Sequence, residues 1–280
     1  MLQKSIYCMI ISALAFTFLN VFVKLLERFD VAQIIFFRSS GSLVFTTSFL
    51  IRYNVSPIGN KRKLLLLRAV AGLLSMGLFF AALKQLQMGS AVSLRYIAPI
   101  FAMFFAMLFL KEKIKHIQWF FILIAFSGIL LMKGFDDNLN TIGLLLILGS
   151  ALFSGFVFII IRKIGNHDHP VVVVHYFMLF AAIASGIFSV AFWKNPVGIE
   201  WCFLLCLGFF GYVGQLYMTK AFSSGQMNFV APLKYLEVIF TMVVGLLWLD
   251  ENYSIWSILG IFLVVLGLVL NTLFKKTESN

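Results

Sequence analysis

Ten runs of about twenty mostly apolar residues fill nearly the whole chain, and this feature limits the possible folds more than any other. A helix needs about 20 apolar residues to cross a bilayer, where no water is present to satisfy the backbone. Each run therefore predicts a transmembrane helix. The predicted spans are residues 5–24, 31–51, 66–86, 89–110, 114–133, 141–161, 171–192, 200–221, 227–249 and 253–273.

The composition agrees with a protein of the membrane. The chain is 61% hydrophobic and 12% charged, whereas soluble domains are about 45–50% apolar and about 25% charged. Its net charge of +11 does not indicate a nucleic-acid partner, because the basic residues stand in short clusters between the apolar runs. No linker is long enough for a separate soluble domain. We therefore predict an all-α, polytopic membrane protein.

The basic residues between the runs predict the orientation. With the N-terminus in the cytoplasm, the segments on that side hold twelve Lys and Arg residues, and the loops on the other side hold five. Cytoplasmic loops of membrane proteins carry the excess of positive charge. We therefore expect a multi-pass protein of the cell inner membrane, with both termini in the cytoplasm.

The second half of the chain repeats the first at a shift of 139 residues. Each half holds five spans, and an odd number makes the second copy enter the membrane from the opposite side. The prediction is two inverted five-helix repeats, residues 1–135 and 136–280. The informative matches are Gly72 with Gly211, Arg95 with Lys234, Tyr96 with Tyr235, Glu112 with Glu251 and Gly128 with Gly267.

Two five-helix halves of this length resemble the drug/metabolite transporter superfamily, EamA type. So do the charged ends Leu110-Lys111-Glu112-Lys113 and Leu249-Asp250-Glu251-Asn252, each of which follows the fourth span of a half. The resemblance covers the whole chain and implies a carrier, in a family that transports amino acids, sugars, nucleotide-like compounds and drugs. The segment at residues 231–237 is also similar to the ninth helix of S-adenosylmethionine carriers of this superfamily.

Charged residues inside the spans indicate where a solute binds, because each costs roughly 2.5–3.5 kcal/mol on insertion scales. Arg95 and Lys234 occupy equivalent positions about seven residues into their spans, or roughly 10 Å deep. Tyr96 and Tyr235 follow them directly. The four side chains could line a cavity for a carboxylate and an apolar body. The alternative is that both cations bond backbone carbonyls or snorkel to the interface.

Glu237 and Arg38 are the other two candidates for the binding site. Glu237 lies three residues after Lys234 and therefore on the same helix face. It is a candidate for proton coupling or for binding a substrate amine, and a structural ion pair with Lys234 is the alternative. Arg38 could add a further positive group to the cavity, or it could cap a neighbouring helix.

Small residues and prolines suggest packing or gating roles. Gly208, Gly211 and Gly214 recur every three residues on the eighth span, and Gly72 is the repeat mate of Gly211. Such a face lets helices approach closely or slide. Pro99 and Pro232 can each kink a helix beside the charged pair.

These residues favour a secondary carrier for an amino-acid-like, zwitterionic or organic-anion solute. Proton or counter-solute coupling and a homodimer remain open. We find no catalytic, metal-binding or cofactor motif. A lipid-acting enzyme would need a cluster of acids or histidines, and a channel would need rings of like groups from several subunits.

Overall fold

The computed structural model describes residues 2–110, 116–135, 140–224 and 236–276, and all regular secondary structure within these ranges is helical. Two short 3₁₀ turns, Gly165–His167 and Val190–Phe192, precede and follow the seventh span. The α-helices are α1 Leu2–Leu25, α2 Val31–Arg52, α3 Arg62–Leu83, α4 Met88–Arg95, α5 Ala98–Leu110, α6 His116–Phe135, α7 Thr141–Ile164, α8 Pro170–Ser189, α9 Glu200–Ser224, α10 Leu236–Trp248 and α11 Ile255–Lys276.

Ten apolar helical segments match the ten predicted spans. In the described ranges, seven are long and apolar enough to cross a membrane, and three are shorter apolar helices within α6, α10 and α11. Large apolar side chains cover the outside of the bundle; Leu130 is 70% exposed and Leu247 is 81% exposed. Such a surface suits lipid and not water. The predicted all-α membrane fold is confirmed.

The fourth span is broken, although the sequence predicted one continuous helix over residues 89–110. α4 ends at Arg95 and α5 begins at Ala98. Between them, the amides of Tyr96 and Ile97 donate to carbonyls three residues back, each at 3.2 Å. Pro99 has no backbone N–H, so it cannot bond the carbonyl of Arg95 as a helix requires. The break therefore lies directly after Arg95, at a residue of the predicted site.

Helix packing follows the internal repeat, in which α1 to α6 correspond to α7 to α11, with α4 and α5 together matching α10. α1 packs on α9, and its counterpart α7 packs on α3. The pairs α2 with α8 and α6 with α11 are their own counterparts, and both are closely packed. Exchanging the halves thus reproduces the main contacts, as two inverted repeats require.

Individual hydrogen bonds also occur at equivalent positions in the two halves. The Ser12 hydroxyl in α1 donates to the carbonyl of Gly214 in α9 at 2.8 Å. The Ser150 hydroxyl in α7 donates to the carbonyl of Ser75 in α3 at 2.7 Å. Ser12 matches Ser150, and Gly214 matches Ser75, at shifts of 138 and 139 residues. The two halves therefore use the same side chain to join the same pair of helices.

The loops at one end of the bundle, which we name the Lys194 end, are tied together. It holds the α1–α2, α3–α4, α8–α9 and α10–α11 loops. Arg28 pairs with Glu200 at 2.5 Å, and the Gln33 amide donates to the carbonyl of Lys194 at 2.7 Å. The Gln87 amide donates to the carbonyl of Asn252 at 2.7 Å. Side chains thus bridge neighbouring loops across this end.

Glu251 anchors the first turn of α4 at the Lys194 end. Its carboxylate accepts the Met88 amide at 2.8 and 2.9 Å and the Tyr253 hydroxyl at 2.5 Å. Lys24 of α1 lies 3.6 Å from the same carboxylate. A negative charge at a helix N-terminus also interacts favourably with the helix dipole. Glu251 therefore joins three parts of the chain.

We expect Glu251→Ala to destabilise the protein by about 2–3 kcal/mol, because an amide, a hydroxyl and an ammonium group lose their acceptor. Thermal unfolding of the purified protein in detergent measures the loss. Glu27→Ala is the matched control, since Glu27 is an exposed acid at the same end and should change stability by less than about 0.5 kcal/mol. Equal melting temperatures for the two variants would contradict the anchoring role.

Candidate functional site

The fourth and the ninth spans are repeat mates, and a buried hydrogen bond joins them. The hydroxyl of Tyr96, at the break between α4 and α5, donates to the carboxylate of Glu237 in α10 at 2.5 Å. Both side chains are buried, and Glu237 is 4% exposed. α4 also packs directly against α10. The candidate site is therefore built where the two halves of the protein touch.

Arg95 lies beside this hydrogen bond. Its guanidinium carbon is 4.1 Å from the ring centre of Phe79 in α3, and the charge of Glu237 acts on it. An aromatic face stabilises a cation in this geometry. Lys234, Tyr235 and Pro232 lie outside the described residues, as does most of the 231–237 segment, so their predicted roles stay predictions.

Arg38 is buried in the centre of the bundle, at 6% exposure. Its guanidinium donates to the sulfur of Met76 and lies 5.7 Å from the ring centre of Phe80, both in α3. Phe80 follows Phe79 in α3, and the Phe79 ring contacts Arg95. Arg38 thus extends from α2 to α3 and brings a second positive charge toward Arg95.

Arg68 is a further buried arginine that was not among the predicted site residues. It is 4% exposed, and its guanidinium carbon lies 4.0 Å from the ring centre of Phe177 in α8. The predicted third span began at residue 66, which placed Arg68 at the membrane boundary. In the structure α3 begins at Arg62, so Arg68 lies six residues inside. The run Lys61-Arg62-Lys63 could have indicated that earlier boundary.

Glycines provide the space for two of the arginines. A Cβ atom added at Gly211 would lie 3.1 Å from Nε of Arg38. One added at Gly72 would lie 3.4 Å from a terminal nitrogen of Arg68 and 3.0 Å from the Phe177 ring. Gly72 and Gly211 are repeat mates, and so are Arg38 and Phe177. The same interhelical contact therefore holds a guanidinium in one half and a phenyl ring in the other.

Gly208 lies close to the backbone of a neighbouring helix, and Gly214 lies close to a neighbouring side chain. A Cβ atom at Gly208 would lie 2.6 Å from the Cα of Gly41, and one at Gly214 would lie 2.9 Å from the Phe16 ring. The hydroxyl of Ser42 also donates to the carbonyl of Gly208 at 3.1 Å. The glycine face of α9 thus contacts α2 and α1, which is the helix packing expected for small residues.

A cavity of about 210 Å³ opens between α2, α8 and α9 at the end opposite to Lys194. Thr46, Phe49, Val174, Tyr212 and Lys220 contribute to its mostly apolar wall, which contains none of the three arginines. Thr46 lies eight residues from Arg38 along α2, or about 12 Å. We take the arginines and not this cavity as the candidate site, because charged side chains inside a membrane are costly and usually serve a function.

Comparison with known proteins identifies the family. The model of the EamA-like transporter family matches residues 3–134 and again residues 141–273. This chain belongs to the EamA-like transporter family. The predicted resemblance to the drug/metabolite transporter superfamily is confirmed, and the protein is a membrane transporter and not an enzyme.

Relatives and a solved structure agree over the full length. The pseudopaline exporter CntI of Pseudomonas aeruginosa is 25% identical over 99% of this chain and 98% of that protein. Human solute carrier family 35 member G1 is 25% identical over 97% of this chain and 79% of that protein. A crystal structure with 16% identity superposes with a TM-score of 0.66, covering 98% of this chain and 99% of the other. That structure supports the fold alone.

Proposed function

We propose that this EamA-family protein is a secondary carrier of a small amino-acid-like, zwitterionic or organic-anion solute. One observation carries the proposal: Tyr96, the neighbour of Arg95 in the first half, donates a buried hydrogen bond to Glu237 in the second half. Arg38 and Arg68 are buried in the same bundle. Secondary carriers with inverted repeats bind their solutes at the interface between the repeats. Coupling to a proton or to a counter-solute belongs to the same proposal.

The chemistry of the candidate site supports a carboxylate-bearing solute. Its charged side chains are those of Arg38, Arg68, Arg95 and Glu237. A guanidinium presents several N–H donors in a plane and binds carboxylates through two parallel hydrogen bonds. Arg38 and Arg95 supply such groups on two different helices. Glu237 can bind a substrate amine or exchange a proton, since intramembrane carboxyl groups mark substrate pathways and proton relays.

Alternating access would follow from the inverted architecture. The halves, for which we propose a boundary between residues 135 and 136, would exchange conformations around the central charges. The tied loops at the Lys194 end fit a state that is closed on that side. We place this side outside, with both termini in the cytoplasm and the carrier in the inner membrane, because the basic residues are distributed that way.

We expect Arg38→Ala and Arg95→Ala to raise the KM for the solute about tenfold or more, because each loses a charge-assisted contact worth about 1.5–3 kcal/mol. Uptake into liposomes that hold the purified protein is the measurement, with a panel of labelled amino acids, organic acids and nucleoside-like compounds. Arg52→Ala, at an exposed arginine at the end of α2, is the matched control and should leave the KM unchanged.

The same panel can overturn the proposal. If no solute exchanges across the membrane and none shifts the melting temperature of the wild-type protein, the carrier function is wrong as proposed. Loss of folding in both arginine variants, with unchanged transport in milder Lys variants, would indicate a structural role for these residues.

A further inference from the structure

We propose that the solute is an extended organic anion with two separate carboxylate groups, and that Arg68 is a further residue that binds it. This inference rests on the carrier function proposed above and narrows its substrate class. Three properties of Arg38, Arg68 and Arg95 support it: their charge balance, the unpaired donors of Arg38 and Arg68, and their spacing.

The charge balance of the described site is positive by two. Arg38, Arg68 and Arg95 contribute three positive charges, and Glu237, which accepts the hydroxyl of Tyr96 next to Arg95, is the one buried acid of the described residues beside them. The other buried acid of these ranges, Asp168, accepts the backbone amide of Lys61 at 3.0 Å at the opposite end from Lys194. An uncompensated buried charge is costly. A bound dianion would restore neutrality, whereas a zwitterion would leave the excess unchanged.

Donors of two arginines have no acceptor among the described residues. They are Nε of Arg38 and both Nε and one terminal nitrogen of Arg68. The ring contacts with Phe80 and Phe177 occupy a guanidinium face but supply no acceptor. Buried donors in native proteins are nearly always paired. Carboxylate oxygens of a bound solute would satisfy these particular groups.

The spacing of the arginines favours a long solute over a compact one. All three contact the same face of α3: Arg68 belongs to it, Arg38 contacts Met76, and Arg95 contacts Phe79. A Cβ atom added at Gly72 would lie 3.4 Å from a terminal nitrogen of Arg68, so the Arg68 guanidinium lies beside Gly72. Met76 and Phe79 lie four and seven residues beyond Gly72, or about 6 and 10 Å along the helix. The oxygens of a single phosphate are too close together to reach guanidinium groups distributed in this way. Two carboxylates at opposite ends of a short chain can do so.

Paired solutes that differ by one carboxylate test the inference. We would measure uptake into proteoliposomes of glutarate and adipate against butyrate, and of glutamate against glutamine, with inorganic phosphate as the compact anion. The dicarboxylates should be transported with a KM at least tenfold lower than that of butyrate. Phosphate should not compete.

Arg68→Gln should raise the KM for adipate about tenfold or more and change that for butyrate by less than threefold. Arg68→Lys retains the charge without the planar set of donors, so its KM for adipate should lie between those of the wild type and Arg68→Gln. Arg52→Gln is the control for loss of one exposed positive charge. The melting temperature of each variant, with and without adipate, separates lost binding from lost folding, and adipate should stabilise the wild type but not Arg68→Gln.

Each other outcome has a definite meaning. Transport of neutral, zwitterionic or monoanionic solutes with no preference for the second carboxylate would overturn this inference and leave the carrier function standing. An equal rise in the KM for adipate and butyrate in Arg68→Gln would also overturn it. Absence of transport and of thermal stabilisation for every solute would overturn the carrier function itself.

Discussion

The substitution Glu237→Gln should abolish proton-driven accumulation of the solute and leave solute-for-solute exchange in place. Glutamine has nearly the shape of glutamate and can still accept the hydrogen bond from Tyr96, which is 2.5 Å long in the structure. It cannot bind and release a proton. If Glu237 couples transport to protons, the Glu237→Gln variant therefore loses its response to a pH gradient. Uptake with and without an imposed gradient, beside counterflow exchange, is the measurement.

Tyr96→Phe is the matched control for this experiment. It removes the hydroxyl that donates to Glu237 but retains the carboxyl group, so the pH response should persist with a KM raised by up to about tenfold. An unchanged pH profile in Glu237→Gln would remove the coupling role. Loss of both accumulation and exchange would instead assign Glu237 to solute binding.

Gly208→Ala should produce the largest loss of stability among single-methyl additions to the interhelical contacts described here, about 3 kcal/mol. The added Cβ would lie 2.6 Å from the Cα of Gly41, which is backbone and cannot rotate away. α2 and α9 would have to separate, and the 3.1 Å bond from Ser42 to the carbonyl of Gly208 would lengthen. Overpacking of this kind costs about 1–3 kcal/mol and sometimes more. Thermal unfolding in detergent measures it.

Gly77→Ala tests whether the effect comes from the contact or from the residue type. A Cβ atom at Gly77 would meet Ile35 at 3.7 Å, an ordinary van der Waals distance. Alanine also favours helix over glycine by about 1 kcal/mol, so this variant should be as stable as the wild type or slightly more stable. Equal losses in both variants would contradict close packing at Gly208, and a stable but inactive Gly208→Ala would indicate a sliding contact.

The fold could be predicted because the properties that determine it can be recognised within single segments of the sequence. Twenty apolar residues in lipid permit little except a helix, and a match such as Gly128 with Gly267 fixes the register of the two halves. These two glycines lie at equivalent places in the α6–α11 contact. A Cβ atom added at Gly128 would lie 2.6 Å from the carbonyl oxygen of Gly260, and one added at Gly267 would lie 2.7 Å from that of Phe121. Repeats are visible in a sequence because the same packing demands the same small residue twice.

The site was harder to predict because it depends on helix ends and on contacts across the bundle. Arg68 was missed since an apolar window cannot place the start of α3 within one turn. The break at Tyr96 and Ile97 was also missed, although Pro99 indicated a distortion nearby. The hydrogen bond between Tyr96 and Glu237 joins residues 141 positions apart, and no local pattern encodes such a pairing.

The pairing of Arg38 with Phe177 as repeat mates has a consequence for the working cycle. In an ideal inverted repeat, the two end states of the carrier would be the same structure turned over, and they would have equal free energies. Here one half places a guanidinium where the other places a phenyl ring. If the proposed exchange of conformations takes place, we expect the empty carrier to have a preferred resting orientation. We then expect its half-saturating solute concentrations to differ between the two faces of the membrane, even though the scaffold itself is nearly symmetric.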